Sequence, residues 1–239
     1  MRFVSVGDSR DGVTYVLWDI DGTLIRTSGA GLRAWEQAIA EVLGRSDGLA
    51  GIDTSGITDA EIAVAACRAA GVDEDGTVSR LLAALEGLVP GELSARDGRV
   101  LPNVRENLEA LSARDDVVNM LLTGNLASTG RLKLELFDLW RFFGAGGAFS
   151  VEGIDRAGIA RRARDLAEQH AGRQLAGEQM VVIGDTPHDI ACGKAIGART
   201  VAVATGRVYT LAELQRAGPW RAFATLPDPG RLWEALMEG

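Results

Sequence analysis

The sequence predicts an α/β fold in which parallel strands alternate with helices, with an all-helical segment inserted early in the chain. From residue 101 onward, short apolar runs alternate with stretches of helical periodicity. Residues 27–98 contain helical patterns but no strand-like run. Strands separated by helices pair in parallel through right-handed crossovers. We therefore predict a sheet with helices on both faces and a helical insert after the first strand.

The elements follow from periodicity and from Gly or Pro at their ends. After a polar lead-in of residues 1–14, the predicted strands are residues 15–18, 117–122, 148–151, 180–183 and 200–204. The predicted helices of the core are residues 103–113, 128–140, 156–170, 190–196 and 232–237.

The insert is predicted to hold three helices. Apolar residues at steps of three and four, from Leu32 to Leu43, favour an amphipathic helix that ends at Gly44. Two more helices are predicted at residues 59–70 and 77–88, the second ending before Pro90. This assigns residues 1–25 and 100–239 to a Rossmann-like α/β core and residues 26–99 to an all-helical insert.

Composition excludes several classes of function. The chain of 239 residues has a formal charge of -8, a sequence pI of about 4.9 and only two lysines. This balance argues against binding to a nucleic-acid backbone, and no apolar run is long enough to cross a membrane. Cys67 and Cys192 are far apart and have no paired motif, so we interpret them as reduced, buried residues. We expect a cytoplasmic protein, either a monomer or a homodimer.

Polar residues follow three predicted strands. Asp19 and Asp21 come directly after the first strand, Thr123 follows the second, and Asp185 follows the fourth. Because parallel strands end at the same edge of a sheet, these side chains are expected to share one crevice. An acidic turn that caps the next helix through Asp21 or Thr23 is the alternative for the first pair.

Asp185 and Asp189 lie four residues apart in a turn that enters a helix. Together with Asp19 and Asp21 they form an oxygen-rich set without nearby His or Cys ligands, which suits Mg²⁺. A helix N-cap with a solvated partner is the alternative for this pair. Thr123, before Gly124 and Asn125, offers a hydroxyl and backbone N–H groups to an anion, although an ordinary strand-to-helix turn also explains it.

Three motifs together resemble the haloacid dehalogenase-like (HAD) hydrolases. They are the sequences DIDGTL from Asp19, TGN from Thr123 and GDTPHDI from Gly184, and they correspond in order to the first, second and fourth motifs of that family. The resemblance covers residues 15–206. Residues 26–99 stand where one subclass carries a helical cap, and the phosphoglycolate-phosphatase-like members are the most similar.

The resemblance implies a role for each residue. Asp19 would be the nucleophile and Asp21 the general acid and base. The metal ligands would be Asp19, the backbone carbonyl of Asp21, Asp185 and Asp189, the last one directly or through water. The residues expected to bind the phosphoryl group or the substrate are Thr123, Gly22, Thr23, Gly124, Asn125 and Thr58. A helix N-cap explains Thr58 equally well.

The third motif of the family is a Lys or Arg, and here the sequence departs from the common Lys-Pro form. Arg156, at a predicted helix start, is the first candidate for this charge, and Lys133 is the second.

The resemblance therefore implies a Mg²⁺-dependent phosphatase that acts on a small phosphorylated metabolite. A β-phosphoglucomutase-like phosphomutase and a catalytically silent phosphate-binding protein are the alternatives. The cap would close over the site through hinges at residues 27–31 and 94–98.

Overall fold

A computed structural model describes residues 12–94 and 98–237 and confirms the predicted α/β fold class. Six strands form one sheet in the order β5-β4-β1-β6-β7-β8, and every neighbouring pair is parallel. Two short strands, β2 and β3, form a separate antiparallel pair. The strands are β1 Thr14–Trp18, β2 Ile25–Arg26, β3 Arg99–Val100, β4 Val117–Leu122, β5 Gly147–Ala148, β6 Met180–Gly184, β7 Arg199–Val203 and β8 Arg221–Phe223.

Nine α-helices are found in the described ranges, together with 3₁₀ turns at Trp140–Phe142 and Gly177–Gln179. The helices are α1 Ala30–Leu43, α2 Asp59–Ala70, α3 Thr77–Ser94, α4 Val104–Ser112, α5 Ala127–Leu136, α6 Arg156–Ala171, α7 Pro187–Ala195, α8 Leu211–Arg216 and α9 Pro229–Met237. None of these helices is long and apolar enough to span a membrane.

The sheet is packed on both faces, as the continuous apolar strands require. Side chains alternate along β1, so Val16 and Trp18 join the cluster that includes α4 and α9. Tyr15 and Leu17 point to the other face and join the cluster that includes α6. This packing fixes β1 in the middle of the sheet and brings the residues after Trp18 to its carboxyl edge.

Helices α1, α2 and α3 share a hydrophobic cluster of their own. Leu126, the residue before α5, also belongs to this cluster. The chain leaves the sheet region through β2 and returns through β3, and Ile25 pairs with Val100. The predicted division at residues 25–26 and 99–100 coincides with this ribbon but stays a prediction. Residues 1–11 of the predicted lead-in and residues 95–97 of the second hinge lie outside the described residues.

Helix α3 corrects the prediction that Pro90 ends it. The helix continues to Ser94 because Val89 and Leu93 extend its buried apolar stripe, while Pro90 itself is exposed. Tertiary packing thus outweighs the backbone hydrogen bond that proline removes. Leu32 was predicted on the buried face of α1, but it is 49% exposed.

Other differences concern short elements. Helix α5 ends at Leu136, and the predicted continuation to residue 140 is replaced by a turn with Asp138 in the left-handed region (φ 54°) and a 3₁₀ turn. The two-residue strands β2 and β3, the three-residue β8 and the six-residue α8 were not predicted. Segments this short carry too few residues for a periodic signal.

Candidate active site

Three buried carboxylates converge at the carboxyl edge of the sheet. Asp19 follows β1 and Asp185 follows β6, while Asp189 lies in the first turn of α7. Because β1 and β6 are neighbours, the backbone N–H of Asp19 donates to the carbonyl of Ile183 at 3.0 Å. One carboxylate oxygen from each acid lies within 4.8 Å of the others. The sheet register therefore brings together acids that lie more than 160 residues apart in the sequence.

Crowding of these acids changes their proton affinities. Burial and the neighbouring Asp189 carboxylate raise the pKa of Asp19 to about 7, against the opposing effect of Arg156. Burial and the Asp19 and Asp189 carboxylates raise the pKa of Asp185 well above its usual range. The cluster is therefore short of positive charge.

Arg156 supplies part of that charge. It is the first residue of α6, where Asp155 caps the helix by accepting from the backbone N–H of Gly158 at 2.7 Å. Its Nη2 donates to Asp189 Oδ1 and lies 3.6 Å from Asp19 Oδ1. Although burial acts in the opposite direction, the Asp189 and Asp19 carboxylates raise the pKa of Arg156. The guanidinium Nε is buried and has no hydrogen-bond partner among the described residues.

When all three acids are ionised, one guanidinium leaves two of the three negative charges without compensation, which is the charge of one divalent cation. The donors are all carboxylate oxygens, the type that hard divalent cations prefer. Asp19, Asp185 and Asp189 could therefore hold such an ion. Asp189 is the least available, because its Oδ2 also accepts from the N–H and hydroxyl of Thr186 at 3.0 and 2.7 Å.

The Asp185 carboxylate packs closely against Gly22 and Gly206. Its Oδ1 accepts a hydrogen bond from the Thr23 hydroxyl at 3.2 Å. A Cβ atom on Gly22, which has a φ of +90°, or on Gly206 would overlap this carboxylate. The Thr205 hydroxyl fixes the nearby turn by donating to the Gly22 carbonyl at 2.6 Å. Gly206 was missed in the sequence, although it follows a predicted strand at the same edge of the sheet.

Asp21 lies beside the acid cluster in a separate hydrogen-bond network. Its Oδ2 accepts from Lys133 Nζ at 2.6 Å and from Asn125 Nδ2 at 2.8 Å. Lys133 also donates to Asn125 Oδ1 at 2.5 Å, and Asn125 Nδ2 donates to the Thr123 hydroxyl oxygen at 2.8 Å. Lys133, on α5, is only 5% exposed. The two candidates for the third-motif charge therefore contact different acids.

A cavity of about 290 Å³ lies over these groups. Its lining includes Asp19, Asp21, Gly22, Gly124, Asn125, Lys133, Arg156, Asp185 and Asp189 from the motifs. Helices α1 and α2 contribute Trp35, Asp59 and Ile62, and the loop before α2 contributes residues 54–57. The helical insert therefore forms one wall of the cavity.

The N-terminus of α2 forms hydrogen bonds with the segment between β4 and α5. Asp59 N–H donates to the Gly124 carbonyl at 2.8 Å, and Asp59 Oδ2 accepts from the backbone N–H of Leu126 at 2.8 Å. A Cβ on Gly124 would lie only 2.7 Å from the Ile57 carbonyl oxygen and 2.8 Å from Arg156 Nη1. Glycine at this position thus permits the loop before α2 to approach both the motif and the guanidinium.

Thr58 does not line the cavity. It is fully buried, and its hydroxyl accepts from Glu61 N–H while the Glu61 carboxylate accepts from Thr58 N–H, which forms a capping box for α2. The N-cap alternative explains this residue. Thr23 and Thr123 are also buried and contact the site through Asp185 and Asn125.

One family model matches a part of the chain that includes the motif from Gly184. The HAD-hydrolase-like family model matches residues 157–228, less than half of the chain. No curated protein sequence matches the chain significantly.

Solved structures match nearly the whole length. A haloacid dehalogenase-like family hydrolase from Streptococcus pneumoniae is 20% identical, with a TM-score of 0.63, and the match covers 93% of this chain and 98% of the other. A phosphoglycolate phosphatase candidate from Haemophilus somnus is 19% identical, with a TM-score of 0.64 and coverages of 90% and 95%. A β-phosphoglucomutase candidate from Bacteroides vulgatus is 21% identical, with a TM-score of 0.67 and coverages of 94% and 88%. The chain therefore shares the fold of these proteins, and the family model supports the predicted resemblance to the HAD-like hydrolases over residues 157–228.

Proposed function

We propose that the protein is a Mg²⁺-dependent phosphatase that hydrolyses a small phosphomonoester through an aspartyl-phosphate. The observation that carries the proposal is the buried cluster of Asp19, Asp185 and Asp189, with Arg156 against it and the cavity above it. A cluster with two uncompensated negative charges suits a divalent cation and, with it, an anionic substrate.

In the proposed reaction, a carboxylate oxygen of Asp19 attacks the phosphorus atom and forms the acyl phosphate. The bond from phosphorus to the ester oxygen breaks, and Asp21 gives its proton to that oxygen as the alcohol leaves. Asp21 then accepts a proton from a water molecule whose oxygen attacks the phosphorus. The bond between Asp19 and phosphorus breaks, which releases inorganic phosphate and restores the Asp19 carboxylate and the protonated Asp21.

The other residues stabilise charge and exclude water. Mg²⁺, held by Asp19, Asp185, the Asp21 carbonyl and Asp189 directly or through water, would neutralise charge on the phosphoryl oxygens. We assign the third-motif role to Arg156 rather than Lys133, because its guanidinium contacts Asp189 and lies near Asp19. Its buried Nε, which has no hydrogen-bond partner in residues 12–94 and 98–237, is a further donor. The Thr123 hydroxyl and the backbone N–H groups of Gly124 and Asn125 would bind the phosphoryl group, while the Asn125 side chain contacts Asp21 and Lys133.

We propose residues 26–99 as the cap of this site. The contacts of Asp59 with Gly124 and Leu126 support this role, since they join the insert to the loop that would bind phosphate. A cover of this kind would strengthen the electrostatic interactions beneath it by removing water.

The proposal is tested by phosphate release from p-nitrophenyl phosphate and from a panel of phosphorylated metabolites. We expect activity with Mg²⁺, none with EDTA and none in Asp19→Asn; activity that survives both changes would exclude the mechanism. Beryllium fluoride with Mg²⁺ should form an aspartyl-phosphate mimic in the wild type but not in Asp19→Asn. Arg156→Met should lose at least about 100-fold in kcat/KM, the usual cost of removing charge stabilisation from such a site.

A phosphomutase is the second candidate, because a β-phosphoglucomutase candidate has the same fold. The two reactions share their first step and differ in the acceptor of the phosphoryl group. Incubation with a sugar 1-phosphate separates them, since a mutase yields the 6-phosphate and a phosphatase yields inorganic phosphate.

A further inference from the structure

Lys133 is an unusual residue for this protein. The chain has only two lysines, and Lys133 is 5% exposed while Lys194 lies on the surface at the end of α7. Burying an ammonium group is costly unless it is paired and hydrogen-bonded. Lys133 forms an ion pair with Asp21. The Asp21 side chain is 41% exposed, however, so water can solvate its charge without a buried cation. The pair therefore calls for an explanation beyond stability.

The hydrogen bonds are directed at one oxygen of Asp21. Lys133 Nζ and Asn125 Nδ2 both donate to Oδ2, and Oδ1 accepts no hydrogen bond from the described residues. Asn125 in turn is fixed at both ends, since its Oδ1 accepts from Lys133 and its Nδ2 reaches the Thr123 hydroxyl. The Asp21 carboxylate is thus held through Oδ2, and the residue lines the cavity.

We infer that Lys133 and Asn125 are positioning residues that hold Asp21 Oδ2 and thereby present Oδ1 to the leaving group of the substrate. This inference rests on the proposed phosphatase function and extends it. In this arrangement Oδ1 carries the proton that moves to the departing ester oxygen, and that oxygen keeps the electron pair of the broken bond to phosphorus. Lys133 transfers no proton and contacts the reacting atoms only through Asp21.

The test compares substrates whose leaving groups differ in how much they need that proton. A p-nitrophenolate ion leaves without protonation, whereas an alkoxide does not, so only alkyl phosphates depend strongly on a well-placed acid. The constant to measure is kcat/KM, which reports on the first chemical step and not on the later hydrolysis of the aspartyl-phosphate. The substrates are p-nitrophenyl phosphate, phenyl phosphate and an alkyl phosphate that the enzyme accepts.

Lys133→Met is expected to lower kcat/KM by about 100-fold or more for the alkyl phosphate and by less than about 10-fold for p-nitrophenyl phosphate. Lys194→Met is the matched control, because it removes the only other lysine, which is exposed, donates to the Ala217 carbonyl and does not line the cavity, and both constants should be unchanged. Asp21→Asn should show the same dependence on the leaving group. Lys133→Met added to Asp21→Asn should cost nothing further, because residues that act as one unit are not additive.

An equal loss of kcat/KM for all three substrates in Lys133→Met would overturn the inference, as would additivity with Asp21→Asn. If Lys133→Met does not fold by circular dichroism, Asn125→Ala takes its place. That variant keeps the ion pair but removes the bridging amide, and it should show the same leaving-group dependence in smaller measure; a uniform loss there would equally overturn the inference. The proposed function is judged separately by Asp19→Asn, since activity in that variant would refute the phosphatase mechanism whatever Lys133 does.

Discussion

The crowded carboxylates predict that the metal-free protein loses stability as the pH rises toward neutrality. Burial and the Asp189 carboxylate raise the pKa of Asp19 from 3.8 to about 7 in the folded protein. Between these two values the folded state holds a proton that the unfolded state has released, so the free energy of unfolding falls as the pH increases. Because each pH unit corresponds to about 1.4 kcal/mol, Asp19 alone contributes a fall of about 4 kcal/mol.

Urea unfolding at several pH values between 4.5 and 7.5, with EDTA, measures this effect. Asp19→Asn is the reference, since a neutral amide in the same place removes the titration of Asp19 and also removes one of the carboxylates that raise the pKa of Asp185. We expect the variant and the wild type to have similar stability near pH 4.5. Near pH 7.5 the variant should be more stable by a few kcal/mol.

With Mg²⁺, the wild type should be more stable than Asp19→Asn near pH 7.5. A cation bound by Asp19 and Asp185 stabilises the folded wild type and displaces the proton, so the wild type should lose its fall in stability. A difference between variant and wild type that does not change with pH in EDTA would refute the claim that these acids are crowded. A difference that Mg²⁺ does not alter would refute the claim that they bind the ion.

Two further substitutions test the site and the insert. Gly206→Ala should weaken Mg²⁺ activation by about 10- to 100-fold, because its Cβ would displace the Asp185 carboxylate; Gly144→Ala, which has open space around it, should leave the Mg²⁺ titration unchanged. Leu81→Ala, at a fully buried position of α3, should lower the free energy of unfolding by about 2 to 5 kcal/mol. The control Leu136→Ala, at a position 51% exposed, should change it by less than about 0.5 kcal/mol, and equal effects would contradict the packing of the insert.

The strand ends explain why much of the site could be predicted from the sequence. Parallel strands direct their carboxyl ends to one edge, so the residues after β1, β4 and β6 had to approach one another once the alternation of elements was recognised. This rule alone was enough to predict that Asp19 and Asp185 lie close together. Arg156 was found as a basic residue at a helix start, but the choice between it and Lys133 needed coordinates, since both reach the site and only the structure shows which acids each one contacts.

Contacts that join distant segments could not be predicted. The carboxylate of Asp185 excludes any side chain at Gly206, and a pattern of residues does not report a close approach across the fold. Pro90 illustrates the opposite problem, since a strong local signal for a helix end is overridden by the burial of Val89 and Leu93 against α1 and α2. Local preference is a weak guide where tertiary burial is large.

The antiparallel ribbon of β2 and β3 has an evolutionary consequence. Since Ile25 and Val100 are side by side, the chain departs from and rejoins the sheet at nearly the same point. Helices between these residues can be lengthened, exchanged or lost without a shift in the strands that carry Asp19 and Asp185. Selection can therefore remodel the wall of the cavity that the insert forms while the carboxylates at the edge of the sheet stay in place.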